Sequence, residues 1–317
     1  MRRQPRLLIG VLLAATIAVS FFPRHVSRLP EIEPPRNSRE GKSKDHSDTR
    51  GSFGSSQGSA TTFLNDNNKE KKAKYEHVPF ATYAYLGRSV EVADSGKAHV
   101  QQVLAEVQNG GIYDDALSAV SEQFGAGKTV IDIGGNFGAF SMAVKIKAPS
   151  VRLYTFEAIP TNCANLKANM HENALDDDWT FSCEALGSSD GETLTFSVDI
   201  EHSGGGSSAY DKPKDHPSLL DGRHAFFDVS SSRLDTILDR YDIKHIDALK
   251  IDCEGCEYDV LKSSRRIKDI DMIVAEFHIN SHLRREGHSF ENLKEFLRSQ
   301  NPNIIIQSVD INMHEAR

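Results

Sequence analysis

Apolar and polar positions alternate with changing period along the chain, and the clearest signal lies near its middle. Val130 to Ile133 is a short apolar run broken only by Asp132, and it enters the glycine-rich turn Gly134-Gly135-Asn136-Phe137-Gly138. That pattern predicts a buried strand, a tight turn and a helix. A second apolar strand, Arg152 to Phe156, ends in the acid Glu157. Helical spacing covers Val100 to Val107 and Asp115 to Phe124 upstream, and Pro160 to Asn173 downstream, where Pro160 suits a first helical turn. Trp179 to Leu186 reads as a third strand, and Asp190-Gly191 turns the chain into the alternating strand Thr193 to Val198. A long polar stretch, Asp199 to Gly222, follows; within it Ser203 to Asp221 is expected to act as a mobile cover over the acceptor. Ser232 to Tyr241 is helical by spacing, Ile246 to Asp252 is a fourth strand, and Glu254 to Lys262 is its following helix. Met272 to Phe277 forms a fifth strand, Phe290 to Leu297 a helix, and Asn303 to Val309 a late strand. This alternation predicts an α/β fold: a doubly wound, mostly parallel, Rossmann-like sheet covered on both faces.

The N-terminal quarter has a different character. Arg2, Arg3 and Arg6 precede an apolar run from Leu7 to Phe22, closed by Pro23 and Arg24. A helix over that run would be about 24 Å long, against a hydrocarbon core of roughly 30 Å. It reads as a short signal anchor or a cleaved signal peptide over 1–23. The expected location is therefore a single-pass membrane protein with a lumenal catalytic domain, in the endoplasmic reticulum or Golgi, or a secreted protein if the segment is cleaved. Residues 24–74 are rich in Pro, Ser, Gly and charge, and cannot bury enough surface to offset their ordering entropy. They read as a disordered stem. The domain expected to fold spans 75–317, with its cofactor and catalytic core at about 128–280.

Composition narrows the field further. The net charge is −8, without the basic face a nucleic-acid partner requires. Four cysteines occur, at 163, 183, 253 and 256. Cys253-Glu254-Gly255-Cys256 has C-x-x-C spacing, but a zinc site needs two further ligands and no second such pair exists. One disulfide or four buried thiols are both compatible with the spacing.

The turn itself separates cofactors. A dinucleotide site uses G-x-G-x-x-G to seat a pyrophosphate on the helix N-terminus. Here the pattern is Asp132-x-Gly134-Gly135-Asn136-x-Gly138. S-adenosylmethionine carries no phosphate, so the turn need only admit a cationic amino acid and a ribose. Gly134 and Gly138 permit close approach, and Asn136 is the non-glycine residue most tolerant of positive φ. Asp132 is placed to accept from the cofactor's ammonium, directly or through water, and Glu157 to accept from the ribose hydroxyls. Gly135, Glu184 and Ala185 complete the candidate cofactor set.

These residues together resemble the FkbM-type methyltransferase family. The resemblance rests on Asp-Ile-Gly-Gly-Asn-Phe-Gly at 132–138, Thr-Phe-Glu-Ala-Ile-Pro at 155–160 and Asn165-Leu166-Lys167-x-Asn169. It continues through Ala185-Leu186-Gly187-Ser188, Leu234-Asp235-Thr236, the segment Leu249-Lys250-Ile251-Asp252-Cys253-Glu254-Gly255-Cys256-Glu257, and Val274-Ala275-Glu276-Phe277-His278. It implies a class I S-adenosylmethionine-dependent methyltransferase, in a family generally linked to O-methylation of sugars or sugar-bearing molecules. Gly135 stands where Ala is common, Cys253 and Cys256 stand at usually apolar positions, and the usual final antiparallel strand is expected to be short, displaced or missing.

In an open parallel sheet, ligands sit beyond the carboxyl ends of the strands. Asp252, Glu254, Glu276 and His278 gather there and form the candidate catalytic set. Transfer to a hydroxyl needs alignment and a base, which His278 suits by its ordinary pKa near 6.5, with Asp252 or Glu254 as substitutes if burial raises them. A second reading has these four hold a divalent cation that acidifies the acceptor hydroxyl. The expected partners are a hydroxyl-bearing small molecule or glycan and, through the N-terminal segment, a membrane. Two other functions are compatible with parts of the pattern: an NAD-dependent oxidoreductase, and a non-catalytic binding protein that keeps the fold.

Overall fold

The structure is a computed structural model and describes residues 79–93, 99–109, 113, 117–118, 127–199, 209 and 224–313. The expected anchor and stem, most of the helix Asp115 to Phe124 and nearly all of the polar stretch Asp199 to Gly222, with the expected cover, lie outside these residues. No helix among the described residues is long and apolar enough to cross a membrane.

In chain order the elements are β1 (Phe80–Tyr85), β2 (Arg88–Ala93), α1 (His99–Gln108), β3 (Thr129–Ile133), α2 (Ala139–Lys147), β4 (Arg152–Glu157), α3 (Pro160–Glu172), β5 (Trp179–Cys183), β6 (Ala185–Leu186), β7 (Thr193–Asp199), β8 (His224–Ser232), α4 (Leu234–Arg240), β9 (Ile246–Ile251), α5 (Glu257–Ser263), β10 (Ile270–Ile279), α6 (Ser281–Arg285), α7 (Phe290–Gln300) and β11 (Ile305–Asn312). The central sheet has the order β11-β10-β9-β3-β4-β5, and each neighbouring pair in it is parallel. The switch in winding falls between β3 and β9, which places the crevice beyond their carboxyl ends. β11 pairs β10 in parallel, so no antiparallel strand separates them.

Period-two alternation assigns the core. Val130, Ala248, Met272 and Val274 face one apolar layer with α2 and α3, while Ile131, Leu249, Ile273 and Phe277 face the other with α4, α5 and α7. Every residue of β3 and β9 is buried, as a central strand covered on both faces requires.

Several elements depart from the expected pattern. The third strand is split: β5 stays in the central sheet, and after Glu184 the chain leaves it as β6, which pairs β8 in a small sheet β6-β8-β7. The hairpin β1–β2 and the strand β8 were not expected. The hairpin closes through Leu86 and Gly87, both at positive φ. Its second strand is stitched to α3 by side chains: Ala93 N donates to Asn169 Oδ1 at 2.7 Å, and Glu91 N to Asn173 Oδ1 at 2.9 Å. Asn169 also donates from Nδ2 to the Phe137 carbonyl at 2.8 Å, which ties α3 to the glycine turn.

The cysteines form two disulfides, Cys163–Cys183 and Cys253–Cys256. The first joins α3 to the end of β5. The reading of four free thiols is therefore corrected.

Candidate active site

The glycine turn is held from three sides. Gly134 N and Gly135 N donate to the Phe156 carbonyl at 2.9 and 3.0 Å, and Asp252 N donates to the Ile133 carbonyl at 3.1 Å. Gly134 has φ 79°, and a Cβ there would lie 1.8 Å from the Asp252 carbonyl oxygen. What Gly134 admits at its Cα is thus the β9 backbone. A Cβ on Gly135 would meet the Thr155 methyl at 2.4 Å, so Ala at this position is not the mild exchange its size suggests. Gly138, at φ 94°, caps α2. Asn136 takes φ 51°, as its residue type allows. Its Oδ1 is buried and accepts no hydrogen bond.

Glu157 sits where expected, at the tip of β4, but both its oxygens are already employed. Oε2 accepts from Asn136 N at 2.7 Å and Oε1 from Ile159 N at 2.8 Å. Burial raises its pKa, against the lowering pull of those two amides and of Lys250. Each carboxylate oxygen has capacity beyond the amide it holds, so Glu157 can both brace the turn and accept from a ligand.

Asp132 does not line the cleft, which corrects its expected direct role. It is 0 % exposed, accepts from Ser141 Oγ at 2.6 Å, and lies 3.2 Å from Lys250 Nζ. Lys250, its partner in the β3–β9 register, was missed by sequence reasoning because it is embedded in the apolar run of β9. Its Nζ donates to the Gly134 carbonyl at 2.7 Å and lies 3.7 Å from Asp252 Oδ2. Burial alone would lower its pKa, but Asp132 and Asp252 outweigh that and hold it raised. Glu184 lines the cavity that holds Glu157 and Ala185. Its carboxylate accepts from Arg240 Nη1, Ser182 Oγ and Ser232 Oγ, each at 2.6 Å, so it is a braced rim residue. Ala185 is buried beside it.

Two cavities meet over the turn. One runs from Glu157 past Ile159, Ala185, Leu186 and Phe196. The other lies against α1, among Glu106, Tyr113, Phe140, Lys250 and Glu276. Gly134, Asn136, Asp252 and Glu254 line both.

Asp252, Glu254, Glu276 and His278 come together as expected, with a different division of labour. The helix after β9 starts at Glu257, because Glu254 and Gly255 take φ 57° and 114° and form a left-handed turn. The acids Asp252 and Glu254 therefore do not cap α5. Glu257 closes the turn instead, accepting from Cys253 N and Gly255 N at 3.0 Å each. Glu257 is fully buried, and its Oε1 lies 3.2 Å from His278 Nδ1. His278 Nε2 lies 3.6 Å from Glu254 Oε2. Carboxylates thus face both ring nitrogens. Burial would lower the His278 pKa, but Glu257, Glu254 and Asp252 win and push it up to about 10. His278 is an imidazolium at neutral pH, which corrects its reading as the base. Glu254 moves the other way: burial, with Asp252 and Glu257 adding to it and His278 opposing, raises it to about 7. Glu276 is raised by burial and by Asp252, and accepts from Tyr113 Oη at 2.8 Å. Tyr113 Oη also lies 3.2 Å from Asp252 Oδ2 and was not anticipated, since its link to the site spans more than a hundred residues.

Possible ligand atoms of Asp252, Glu254 and His278 lie within 4.8 Å of one another. A cation bound through Nε2 would leave the Nδ1–Glu257 pairing in place and would displace the proton that His278 holds toward Glu254.

The His278 pair has a pH signature. A pKa raised above the ordinary 6.5 contributes stability in full below about pH 6.5, lost as pH rises through about 10. The melting temperature is expected to fall between about pH 8 and 10, above the window in which Glu254 titrates, and His278→Gln should flatten that decline. An equal decline in the variant would show that His278 does not titrate there.

A family model described as the methyltransferase FkbM domain matches residues 132–303. Methyltransferase 1 of Beauveria bassiana is 30% identical over 146 residues, which cover 42% of this chain and 57% of that protein. The chain thus spans less than two thirds of that relative. Among solved structures, a precorrin-6y C5,15-methyltransferase from Geobacter metallireducens aligns with a TM-score of 0.29 and 11% identity, covering 51% of this chain and 61% of its own. A SAM-dependent methyltransferase from Agrobacterium tumefaciens aligns with a TM-score of 0.32 and 11% identity, over 55% of this chain and 39% of its own. At these scores the likeness bears on neither ligand nor reaction. The family match covers more than half of the chain, and the residues it spans include the glycine turn, Glu157 and the Asp252–His278 cluster: the chain belongs to the FkbM methyltransferase domain family and has a methyltransferase-like α/β fold.

Proposed function

We propose that the protein transfers a methyl group from S-adenosylmethionine to a hydroxyl on a small molecule or glycan. The observation that carries this reading is the continuity of the two cavities across Gly134 and Asn136, with Glu157 at one end and a raised carboxylate, Glu254, at the junction. The residues present fit the cofactor. The walls Ile159, Leu186 and Phe196 suit an apolar ring, Glu157 suits the ribose hydroxyls, and the unengaged buried Asn136 Oδ1 suits a donor such as an ammonium. The acids of the second cavity favour positive charge. When bound, S-adenosylmethionine supplies an activated methyl on a sulfonium.

The chain's own work is positioning and proton removal. Glu254, near neutrality, accepts the acceptor's hydroxyl proton as the new bond forms. His278 and Lys250 are cations that offset part of the negative charge of Asp132, Asp252, Glu254 and Glu257. Tyr113 orients Asp252 and Glu276. The disulfides support an oxidising compartment, and with the apolar run Leu7 to Phe22 we place the catalytic domain in the secretory lumen or outside the cell.

The ribose contact tests the cofactor half. Glu157→Ala removes charge-assisted hydrogen bonds worth about 1.5–3 kcal/mol each, so affinity for S-adenosylmethionine should fall tenfold or more. Equal binding by the two proteins would remove Glu157 from the cofactor site.

A further inference from the structure

The disulfide between Cys253 and Cys256 closes a ring around Glu254 and Gly255. Glu254 and Gly255 both have positive φ inside that ring. For glutamate this conformation is unfavourable and persists only where its surroundings fix it. Two braces do so. One is the Cys253–Cys256 disulfide; the other is Glu257, which holds Cys253 N and Gly255 N and is itself paired with His278. The ring sits at the junction of the two cavities: Cys253 and Cys256 line the first, and Glu254 lines both.

We propose that the Cys253–Cys256 disulfide is a redox-sensitive positioning element that fixes Glu254 at the mouth shared by the two cavities. This rests on the proposed role of Glu254, but is a property of the turn that can be measured without an acceptor. Reduction by a dithiol breaks the S–S bond: two electrons and two protons pass to the cysteines, and the reductant closes to its own cyclic disulfide. The turn then keeps the Glu257 brace and the Glu254–His278 pairing, and with the ring open the Glu254 backbone can relax toward ordinary angles and carry its carboxylate away from His278. The charged groups that face Glu254 are Asp252 on its own turn, Glu257 from α5, and His278 and Glu276 from β10. Its protonation therefore reports whether it remains among them. The other disulfide, Cys163–Cys183, lies between α3 and β5 and does not touch this turn.

The test is carbon-13 NMR of glutamate-labelled full-length protein, with the Glu254 carboxyl assigned by its loss in Glu254→Gln. The Glu254 pKa is followed in the oxidised protein, after dithiothreitol, and in Cys253→Ser/Cys256→Ser, with the amide spectrum and the melting transition recorded in parallel to show that the fold survives. In the oxidised protein Glu254 should titrate at about 7. In the reduced protein and the double variant it should move toward the ordinary carboxylate value, with the dispersion of the amide spectrum and a cooperative melting transition retained. Dithiothreitol should have no further effect on the double variant. An unchanged Glu254 titration after verified reduction overturns the proposal, as does a shift accompanied by loss of the fold. If Glu254 shifts as expected but Glu254→Gln still transfers methyl at the wild-type rate, the positioning stands and the catalytic assignment fails.

Discussion

Gly134→Ala is expected to be the most damaging small substitution in the domain. The new methyl would lie 1.8 Å from the Asp252 carbonyl oxygen and 2.8 Å from its carbon, both main-chain atoms that no rotamer change can move. The backbone would also carry a β-carbon at φ 79°. Left-handed geometry alone costs roughly 1–2 kcal/mol, and overpacking adds typically about 1–3. A loss of about 3 kcal/mol or more follows, which for a domain of this size lowers the melting temperature by roughly 6–12 °C. Relief requires β9 to move away from β3, opening the Asp252 N to Ile133 carbonyl bond and the Lys250 to Gly134 contact. Cofactor binding should fail together with stability. A variant that melts within about a degree of wild type would show that the two turns are not in contact.

Glu254→Gln should have the largest effect on chemistry. The substitution keeps size and hydrogen-bonding reach and removes the proton acceptor, so turnover should fall about 10²-fold or more. Affinity for S-adenosylmethionine should change within about threefold. The wild-type rate should rise with pH through about 7, following Glu254, and the variant should lose that limb. Rates on a competent hydroxyl acceptor across pH check both points. Wild-type turnover in the variant, or an affinity loss equal to the rate loss, would contradict the assignment. The same logic explains why His278→Gln belongs to a stability experiment: an imidazolium between Glu257 and Glu254 is a fixed charge and accepts no proton at neutral pH.

The cofactor half of the fold was legible because its signals are local. The β3 run, the glycine turn, β4 and the first turn of α3 follow one another in a single short stretch that opens at Thr129 and reaches α3 at Pro160, and each carries a residue type that the next requires. The hairpin β1–β2 was missed because its anchors lie far along the chain: Tyr85, Val90 and Val92 pack into the core, and Asn169 of α3 and Asn173 just beyond it bond to its second strand. β8 depends on pairing with β6 and β7 at long range, and the departure of β6 from the central sheet is invisible in the alternation of Trp179, Phe181, Cys183 and Ala185, which runs on without a break. The helix after β9 was expected to begin at Glu254. Only the φ values of Glu254 and Gly255 show that the chain turns first. Charge states were the least legible feature. Lys250 and His278 owe theirs to Asp132 and Glu257, which the fold supplies from other segments.

The strand order β11-β10-β9-β3-β4-β5 is also that of a dinucleotide-binding sheet, so topology leaves the cofactor to the turn. Calorimetry of the full-length protein with S-adenosylhomocysteine and, separately, with NAD tests this directly. The account predicts saturable binding of S-adenosylhomocysteine, one per chain and weakened by Glu157→Ala, with no binding heat from NAD. Saturable binding of NAD with none of S-adenosylhomocysteine would contradict it.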